Sequence, residues 1–287
     1  MQSAMTKSEQ KPRLWLTILD KAFYVVLVAA VGGFVYYLYT YHDTIILDLP
    51  VLLQGAALTI FLAVSSIILA TIFGFIGALC RLSRFRVLSW LAFAYVELIR
   101  GTPILVQLLL WGFGVNSALA NIGIDPYNVA FQVMTTLQNN SLLPSPVIFD
   151  AVFYGIIGLS FNYGAYLTEV FRTGIESIDR GQTEAALSLG LNSRQTMRHI
   201  ILPQAIRITI PPFTNYFITL VQDTALLSTL GGVIEIQQVT TSLASPLTGD
   251  PNKQMFIYVF GALIFLCICY PLALLARYLE GRMAVAY

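Results

Sequence analysis

Charged residues are scarce in this chain of 287 residues, because Asp, Glu, Lys and Arg together make up only 11% of it. Soluble domains carry about 25% charged residues, so the composition excludes an ordinary soluble protein. Hydrophobic residues reach 57%, which is typical of a chain that crosses a membrane several times. The formal net charge of +1 gives no electrostatic reason to expect a nucleic-acid partner.

Residues that carry metal or redox chemistry are also few. The three cysteines, Cys80, Cys267 and Cys269, lie in or beside apolar runs, where they are typical of membrane-core thiols rather than of a disulfide or a metal pair. The two histidines are far apart in sequence. We therefore expect no metal site.

Nucleotide-binding and catalytic motifs are missing from the sequence. It contains no Gly-Lys pair, so there is no phosphate-binding loop of the type G-x-x-x-x-G-K-[ST]. Nor is there a nucleophile elbow, His-Glu-x-x-His or Cys-x-x-Cys. We expect no catalytic residues and no cofactor in this chain, so that ATP and Mg²⁺ for any uphill transport would be bound by a separate subunit.

Long apolar runs dominate the sequence. A transmembrane helix needs about 20 apolar residues, and six stretches qualify, namely 22–41, 55–79, 88–113, 148–171, 205–221 and 256–276. The sequence thus predicts an all-α polytopic membrane protein of about six spans. The first stretch is long and rich in aromatic residues, so we interpret it as a span rather than a signal peptide.

Lysine and arginine are distributed unevenly between the links that join these spans. In a six-span arrangement nearly all of them fall on one side, which the positive-inside rule assigns to the cytoplasm. They lie in the tail 1–21, between spans two and three, between spans four and five, and after span six. The opposite side has the lone Lys253 and several aspartates. We therefore expect both termini in the cytoplasm.

Span three contains an unusual polar segment. Glu97 and Arg100 are three residues apart on one helix face and can neutralise each other. Gln107 continues this face, while Gly101 and Pro103 loosen the helix. A charge at membrane depth is expensive and by default marks a site or a pathway. A structural salt bridge that locks span packing explains this pattern as well as a transport role does.

Spans four and five carry stripes in which polar residues recur every three or four positions and so share one helix face. Such a stripe should face a cavity or other protein rather than lipid. The stripes consist of Asn162, Tyr166, Glu169 and Thr173 in span four, and of Asn215, Thr219 and Gln222 in span five. We expect Pro211 and Pro212 to disturb span five, and residues 226–243 to form a short helix or re-entrant segment.

Residues 179–203 predict two short helices joined by a tight turn. Arg180 to Leu189 has helix-forming composition, and Gly190 stands where a left-handed cap would end that helix. Asn192 can cap the second helix, with Gln195 completing a capping box, and Pro203 closes it. An ordinary amphipathic loop helix would explain the Ala and Leu residues. It would not explain why Gly190 and Pro203 both occur at these distances along the sequence.

This link resembles the EAA loop of ABC importer permeases, through Glu184, Ala185, Ala186, Gly190, Ile200, Leu202 and Pro203. Other segments resemble the polar amino-acid branch of that family. They are Gln54 to Thr59, Glu97 to Pro103 with Leu105 to Gln107, Gly164 to Arg172, and Gln222 to Leu226. The common Lys-Asp pair before Thr is Gln222-Asp223 here, which removes a positive charge.

The resemblance implies a type I importer permease fold and a division of the chain. The core is 55–277, preceded by an added transmembrane helix 22–41 and a cytoplasmic tail 1–21, and followed by a tail 278–287. The core includes an external insertion 115–147 and a cytoplasmic coupling loop 179–203. The insertion is either a docking surface for an external partner or an insertion without a direct role.

The resemblance also implies partners. They are an ABC ATPase dimer, a second permease chain that is either the same or homologous, an extracytoplasmic solute-binding protein, and the lipid of the bacterial cytoplasmic (inner) membrane. The residues implied to couple to the ATPase are Glu184, Ala185, Ala186, Gly190, Leu191 and Pro203. A zwitterionic amino acid needs an acceptor for its ammonium and a donor for its carboxylate. The candidates are Glu97, Arg100, Gln107, Tyr166, Glu169, Asn215, Thr219 and Gln222, with Arg172 and Asp223 as gate or packing residues.

Other functions stay open at this point. The chain could be a permease for another small polar solute, or an ion-coupled secondary carrier that uses Glu97 and Glu169. A secondary carrier has no reason to keep the Glu184–Pro203 loop. A membrane enzyme is the weakest alternative, because no cluster of nucleophile, base and metal ligands is visible.

Overall fold

The computed structural model describes residues 14–123, 132, 135–139 and 149–284. Within these ranges every regular element is helical, which confirms the predicted all-α class. The main helices are α1 (Leu14–Thr40), α2 (His42–Arg81), α3 (Arg86–Arg100), α4 (Ile104–Leu109), α5 (Asn116–Asn121), α6 (Phe149–Glu176), α7 (Arg180–Ser188), α8 (Ser193–Thr196), α9 (Leu202–Asp223), α10 (Ile236–Ala244) and α11 (Pro251–Ala284). Shorter π-helical turns span Leu110–Val115 and Met197–Ile201, and a 3-10 turn spans Thr224–Leu230.

Among the described residues, four helical stretches are long and apolar enough to cross a membrane, namely 23–40, 42–81, 104–121 and 251–282. Helices α6 and α9 have 28 and 22 residues, which is also the length of a span. They carry the polar stripes, which lower their mean hydropathy. The six predicted spans thus correspond to α1, α2, the α3–α5 segment, α6, α9 and α11.

The chain forms two units, residues 1–49 and 50–287. In the first unit, α1 exposes large apolar side chains from Phe23 to Tyr39. The second unit has an apolar core to which most of its helices contribute. Among its fully buried side chains are Leu58 and Leu62 of α2, Leu108 of α4, Leu159 and Leu167 of α6, Leu220 of α9, and Leu227. Most of the predicted insertion 115–147 and the first part of the tail 1–21 lie outside the described residues.

Two boundaries differ from the prediction. Helix α2 begins at His42 and continues through Pro50, ahead of the predicted start of span two at residue 55, because a membrane-length helix tolerates one proline. Span three is broken: α3 ends at Arg100 and α4 starts at Ile104. Pro103 disfavours helical backbone at the residue before it, and Gly101 caps α3.

Helix α9 runs without interruption past Pro211 and Pro212, so the expected disturbance of span five does not end the helix. The hydroxyl of Thr214 donates to the carbonyl oxygens of Ile210 at 3.1 Å and Pro211 at 2.8 Å. These bonds lie one turn beyond the carbonyls of Arg207 and Ile208, which the two prolines leave without their usual amide donors.

Helices α2 and α6 pack closely at glycine positions. A Cβ atom at Gly74 would lie 2.6 Å from the Leu167 Cβ and 3.1 Å from the Leu167 backbone carbon. One turn later, a Cβ at Gly77 would overlap the Thr168 hydroxyl. Small residues of this kind let the backbones of membrane helices approach each other, so the glycines of span two serve packing between helices.

Replacing Gly74 with leucine should lower the stability of the helical core. The new side chain would meet backbone as well as side-chain atoms of Leu167, and overpacking of this kind costs about 1–3 kcal/mol. We expect a lower thermal unfolding midpoint for the purified chain. Gly281→Leu is the control, since nothing lies within 4 Å of its Cβ position. Equal midpoints for both variants would refute the close contact.

Candidate coupling loop and translocation site

Helix α7 is capped at both ends by local hydrogen bonds. At its start, the Asp179 carboxylate accepts from the Gly181 amide at 2.6 Å. At its end, Gly190 has a φ of +86°, and its amide donates to the Leu187 carbonyl at 3.0 Å. The Leu191 amide donates to the Ala186 carbonyl at 3.1 Å, which completes a Schellman motif. The predicted left-handed cap at Gly190 is confirmed.

Helix α8 begins with the predicted capping box. The Gln195 amide donates to the Asn192 side chain at 2.9 Å, and the Asn192 amide donates to the Gln195 side chain at 2.9 Å. The prediction that Pro203 closes this helix is wrong. The backbone stays helical through the π turn Met197–Ile201 into α9, where Pro203 lies in the first turn.

The surface of α7 is unusual for an isolated helix. Its only buried side chain is Ala186. Leu187 is 47% exposed and Leu189, at the end of the helix, is 84% exposed, while Glu184 and Ala185 are also exposed. Exposed leucines beside a carboxylate mark a surface suited to contact with another protein. The geometry fits the docking role implied for the predicted coupling residues, and that role stays a prediction.

Glu169 lies in a cluster of ion pairs near the end of α6 that leads into α7. Its carboxylate accepts from Arg172 at 2.7 and 2.9 Å and from Arg81 of α2 at 3.3 Å. Arg172 also pairs with Glu176, and the Arg81 guanidinium lies 5.0 Å from the centre of the Phe93 ring. Glu169 therefore links α2 to α6. Its predicted contact with substrate remains a prediction, as does the gate or packing role of Arg172.

Gln107 lies at the break in span three and is only 6% exposed. Its amide nitrogen donates to the Ile99 carbonyl at 2.7 Å and to the Thr102 carbonyl and hydroxyl at 3.1 and 2.8 Å. Its amide oxygen accepts from Asn162 of α6 at 3.0 Å. Gln107 does not continue the face of Glu97 and Arg100, because the chain turns between them. It holds the turn against α6.

Replacing Gln107 with leucine should destabilise this turn. The change leaves the Asn162 amide without its acceptor, and an unsatisfied buried group costs about 1–3 kcal/mol. We expect a large fall in the thermal unfolding midpoint. The control is Gln222→Leu, which removes an exposed amide. If Gln107→Leu were as stable as that control, the hydrogen-bond network would be incorrect.

Arg100 and three tyrosines lie together where α3, α6 and α9 meet. The Arg100 guanidinium lies 5.5 Å from the centre of the Tyr166 ring, and that ring is 5.4 Å from the Tyr216 ring. Tyr163 is 6.4 Å from Tyr216, and its hydroxyl donates to Asp223 at 2.6 Å. Within the described residues Arg100 forms no ion pair with Glu97, contrary to expectation, because Arg100 is the last residue of α3 and reaches Tyr166 instead.

The remaining predicted residues are exposed on the helices that carry this cluster. Asn215, Thr219 and Gln222 are exposed along α9, and Glu97 is exposed on α3. The Thr219 hydroxyl donates to the Asn215 carbonyl at 3.0 Å. The sequence interpretation missed Tyr163 and Tyr216. Tyr163 lies three residues before Tyr166 and Tyr216 follows Asn215, so the helical spacing of tyrosines beside the polar stripes was the available signal.

The predicted segment Gln54 to Thr59 holds the start of α10. The Ile236 amide donates to the Thr59 hydroxyl at 3.3 Å, and a Cβ at Gly55 would lie 3.2 Å from the Glu235 carbonyl carbon. Glu235 is fully buried and accepts from the Gln237 and Gln238 amides at 2.7 Å each. This capping carboxylate was not recognised in the sequence, because its partner helix is short and its burial depends on distant α2.

Comparison with known proteins decides the family. Residues 67–285 match the model of the binding-protein-dependent transport system inner membrane component. The chain belongs to this family. It is therefore a multi-pass inner-membrane permease, as the coupling-loop motif indicated.

Relatives of this permease cover most of its length. It is 35% identical to the L-cystine transport system permease protein of Bacillus subtilis (strain 168), over 82% of this chain and 87% of that one. It is 36% identical to the histidine/lysine/arginine/ornithine transport system permease protein of Salmonella typhimurium, over 70% and 80% of the two chains.

Solved structures confirm the type I importer permease fold. A chain of an amino acid ABC transporter crystallised with histidines superimposes with a TM-score of 0.66 at 28% identity, over 83% of this permease and 97% of that chain. An inward-facing methionine ABC transporter superimposes with a TM-score of 0.53 at 15% identity, over 83% and 98%, and shares the fold.

Proposed function

We propose that this permease forms the translocation path of an ATP-driven importer for polar amino acids. Relatives that carry cystine or basic amino acids, at 35% and 36% identity, support the substrate class. The observation that carries the coupling role is α7, a capped helix whose Leu189 is 84% exposed beside the exposed Glu184. In this proposal α7 docks on one subunit of an ATPase dimer.

ATP and Mg²⁺ are bound and used by that partner, and this chain holds no cofactor. Closure of the ATPase pair would displace α7, and the displacement would reach α9 through the helical path of α8 and the π turn Met197–Ile201. The ion pairs of Glu169 with Arg81 and Arg172 would keep α2 and α6 moving together. Both chain termini and the coupling loop lie in the cytoplasm.

The substrate contacts are proposed at the Arg100–tyrosine cluster. Arg100 is exposed and its guanidinium has no carboxylate partner within the described residues, so it is free to bind a carboxylate. Glu97 on the same helix offers an acceptor for the ammonium group. Tyr166, Asn215, Thr219 and Gln222 complete the polar lining, whereas Gln107 and Glu169 already use their polar atoms within the protein.

The exposed polar face also fits a second permease chain, the same or homologous, which would close the path on the other side. An extracytoplasmic solute-binding protein would deliver the amino acid to the outward-open state. In this arrangement each polar side chain at membrane depth faces a cavity or another protein instead of lipid. This is expected because a charged group in lipid is energetically unfavourable.

The proposal is tested in liposomes that contain the permease, its ATPase and its solute-binding protein. Uptake of a labelled amino acid should require ATP on the side of the membrane where the ATPase is bound. It should persist when proton and sodium gradients are collapsed. Uptake of a different polar solute under the same ATP requirement would replace the substrate class. Uptake that follows an ion gradient without the ATPase would identify a secondary carrier instead.

A further inference from the structure

Three arginines line a cavity at the turn between α2 and α3, and the mechanism above does not use this cavity. It has a volume of about 310 Å³ and its lining includes Arg81, Arg84 and Arg86. Ser83, Ser89 and Trp90 also line it. We refer to this cavity and its lining residues as the basic corner.

The basic corner carries positive charge that the protein leaves unbalanced. Arg81 shares the Glu169 carboxylate with Arg172. Within the part of the chain that the structure describes, Arg84 and Arg86 have no ion pair and no side-chain hydrogen bond. Arginines that line a cavity whose lining includes no carboxylate are suited to bind an anion of the phosphate type.

The backbone at the corner adds to this preference. Helix α3 has 15 residues, no acidic side chain in its first turn and no side-chain cap at Phe85, so its first amides are available to an anion. The serines shape the turn: Ser83 accepts from the Phe85 amide at 3.2 Å, and Ser89 donates to the Arg81 carbonyl at 3.2 Å.

Exposed apolar side chains flank the corner and indicate where the anion comes from. Phe85 is 74%, Val87 72% and Trp90 66% exposed. Trp beside arginine is typical of the membrane–water interface. The ion pair of Arg81 with Glu169 places the corner at the end of α6 that leads to α7, which the proposed function assigns to the cytoplasmic leaflet. That leaflet carries the anionic lipids.

We propose that the basic corner binds the phosphate-bearing headgroup of an anionic phospholipid in the cytoplasmic leaflet, with Arg84 and Arg86 as its principal ligands. Only the assignment of the leaflet rests on the proposed function. Bound there, the lipid would neutralise the two free guanidinium groups next to the ion pairs that join α2 to α6.

The test uses the permease–ATPase complex in nanodiscs made of phosphatidylcholine with or without phosphatidylglycerol, and native mass spectrometry counts the retained lipid. Arg84→Gln with Arg86→Gln should bind phosphatidylglycerol about thirtyfold more weakly, since each interfacial arginine contributes about fivefold. The matched control is Arg277→Gln with Arg282→Gln, which removes two arginines near the end of α11 and should leave retention at this site unchanged.

Further measurements distinguish a lipid headgroup from free phosphate and from a contact with protein. Phosphatidylglycerol should stay bound in inorganic phosphate; displacement by phosphate would identify a free-anion site and overturn the lipid assignment. Equal retention by the double variant and wild type would also overturn it. The lipid assignment would also be overturned if the double variant lost ATPase binding but retained phosphatidylglycerol, because the basic corner would then contact the ATPase. A wild-type chain that retains the lipid here but never binds an ATPase would count against the proposed function alone.

Discussion

Gly190→Val should abolish solute uptake while membrane insertion stays intact. Gly190 adopts a φ of +86°, a conformation that costs a β-branched residue about 1–3 kcal/mol. The substituted chain would lose the cap in which the Gly190 and Leu191 amides bond the Leu187 and Ala186 carbonyls. Helix α7 would then change its direction relative to the ATPase, and uptake by proteoliposomes would fall to background.

Two variants separate this effect from general damage. Gly190→Asn should retain most of the uptake, because asparagine tolerates left-handed backbone. Gly249→Val places the same side chain at an exposed glycine with nothing within 4 Å of its Cβ position, and should behave as wild type. Glu184→Lys should abolish uptake through the exposed face of α7 without changing its caps. If uptake survived Gly190→Val or Glu184→Lys, the coupling assignment would be wrong.

Arg100→Gln should weaken transport through the affinity for substrate. Removing a charged hydrogen-bond donor to a carboxylate costs about 1.5–3 kcal/mol, so we expect KM for uptake to rise about tenfold to a hundredfold. Stability should change little, because Arg100 is exposed and its only described contact is the Tyr166 ring. Arg100→Lys should give an intermediate KM, since lysine keeps the charge but not the planar fork.

Arg282→Gln is the matched control for Arg100, because Arg282 also lies 5.0 Å from the centre of a tyrosine ring, that of Tyr278. It lies in the last turns of α11, away from the proposed path. Its KM should equal that of wild type. If Arg100→Gln left KM unchanged, or changed it no more than Arg282→Gln, Arg100 would be removed from the substrate site.

The coupling loop could be predicted from the sequence because its determinants are local. The caps at Gly190 and at Asn192 with Gln195 each join residues no more than five positions apart. Their residue types specify backbone geometry directly. The error at Pro203 has a local cause too. A proline that follows the end of one helix and a proline in the first turn of the next helix occur in the same sequence context, so the sequence alone does not distinguish them.

The roles of the polar span residues could not be predicted in this way. Glu169 looked like a ligand in its stripe, but its partner Arg81 is 88 positions away. Gln107 and Asn162, 55 positions apart, meet only because the chain turns at Gly101. Spacing on a helix shows which residues share a face, whereas packing between helices decides whether that face holds a structural hydrogen bond or stays open to solute.

The central claim is that this permease couples solute import to a partner ATPase through α7. The most direct measurement is the rate of ATP hydrolysis by the reconstituted complex with its solute-binding protein, against a panel of amino acids. We predict that one or a few amino acids stimulate hydrolysis in the wild type, and that Gly190→Val abolishes the stimulation while the ATPase still hydrolyses ATP at its basal rate. Failure of the permease to bind the ATPase, or equal stimulation in both proteins, would contradict the account.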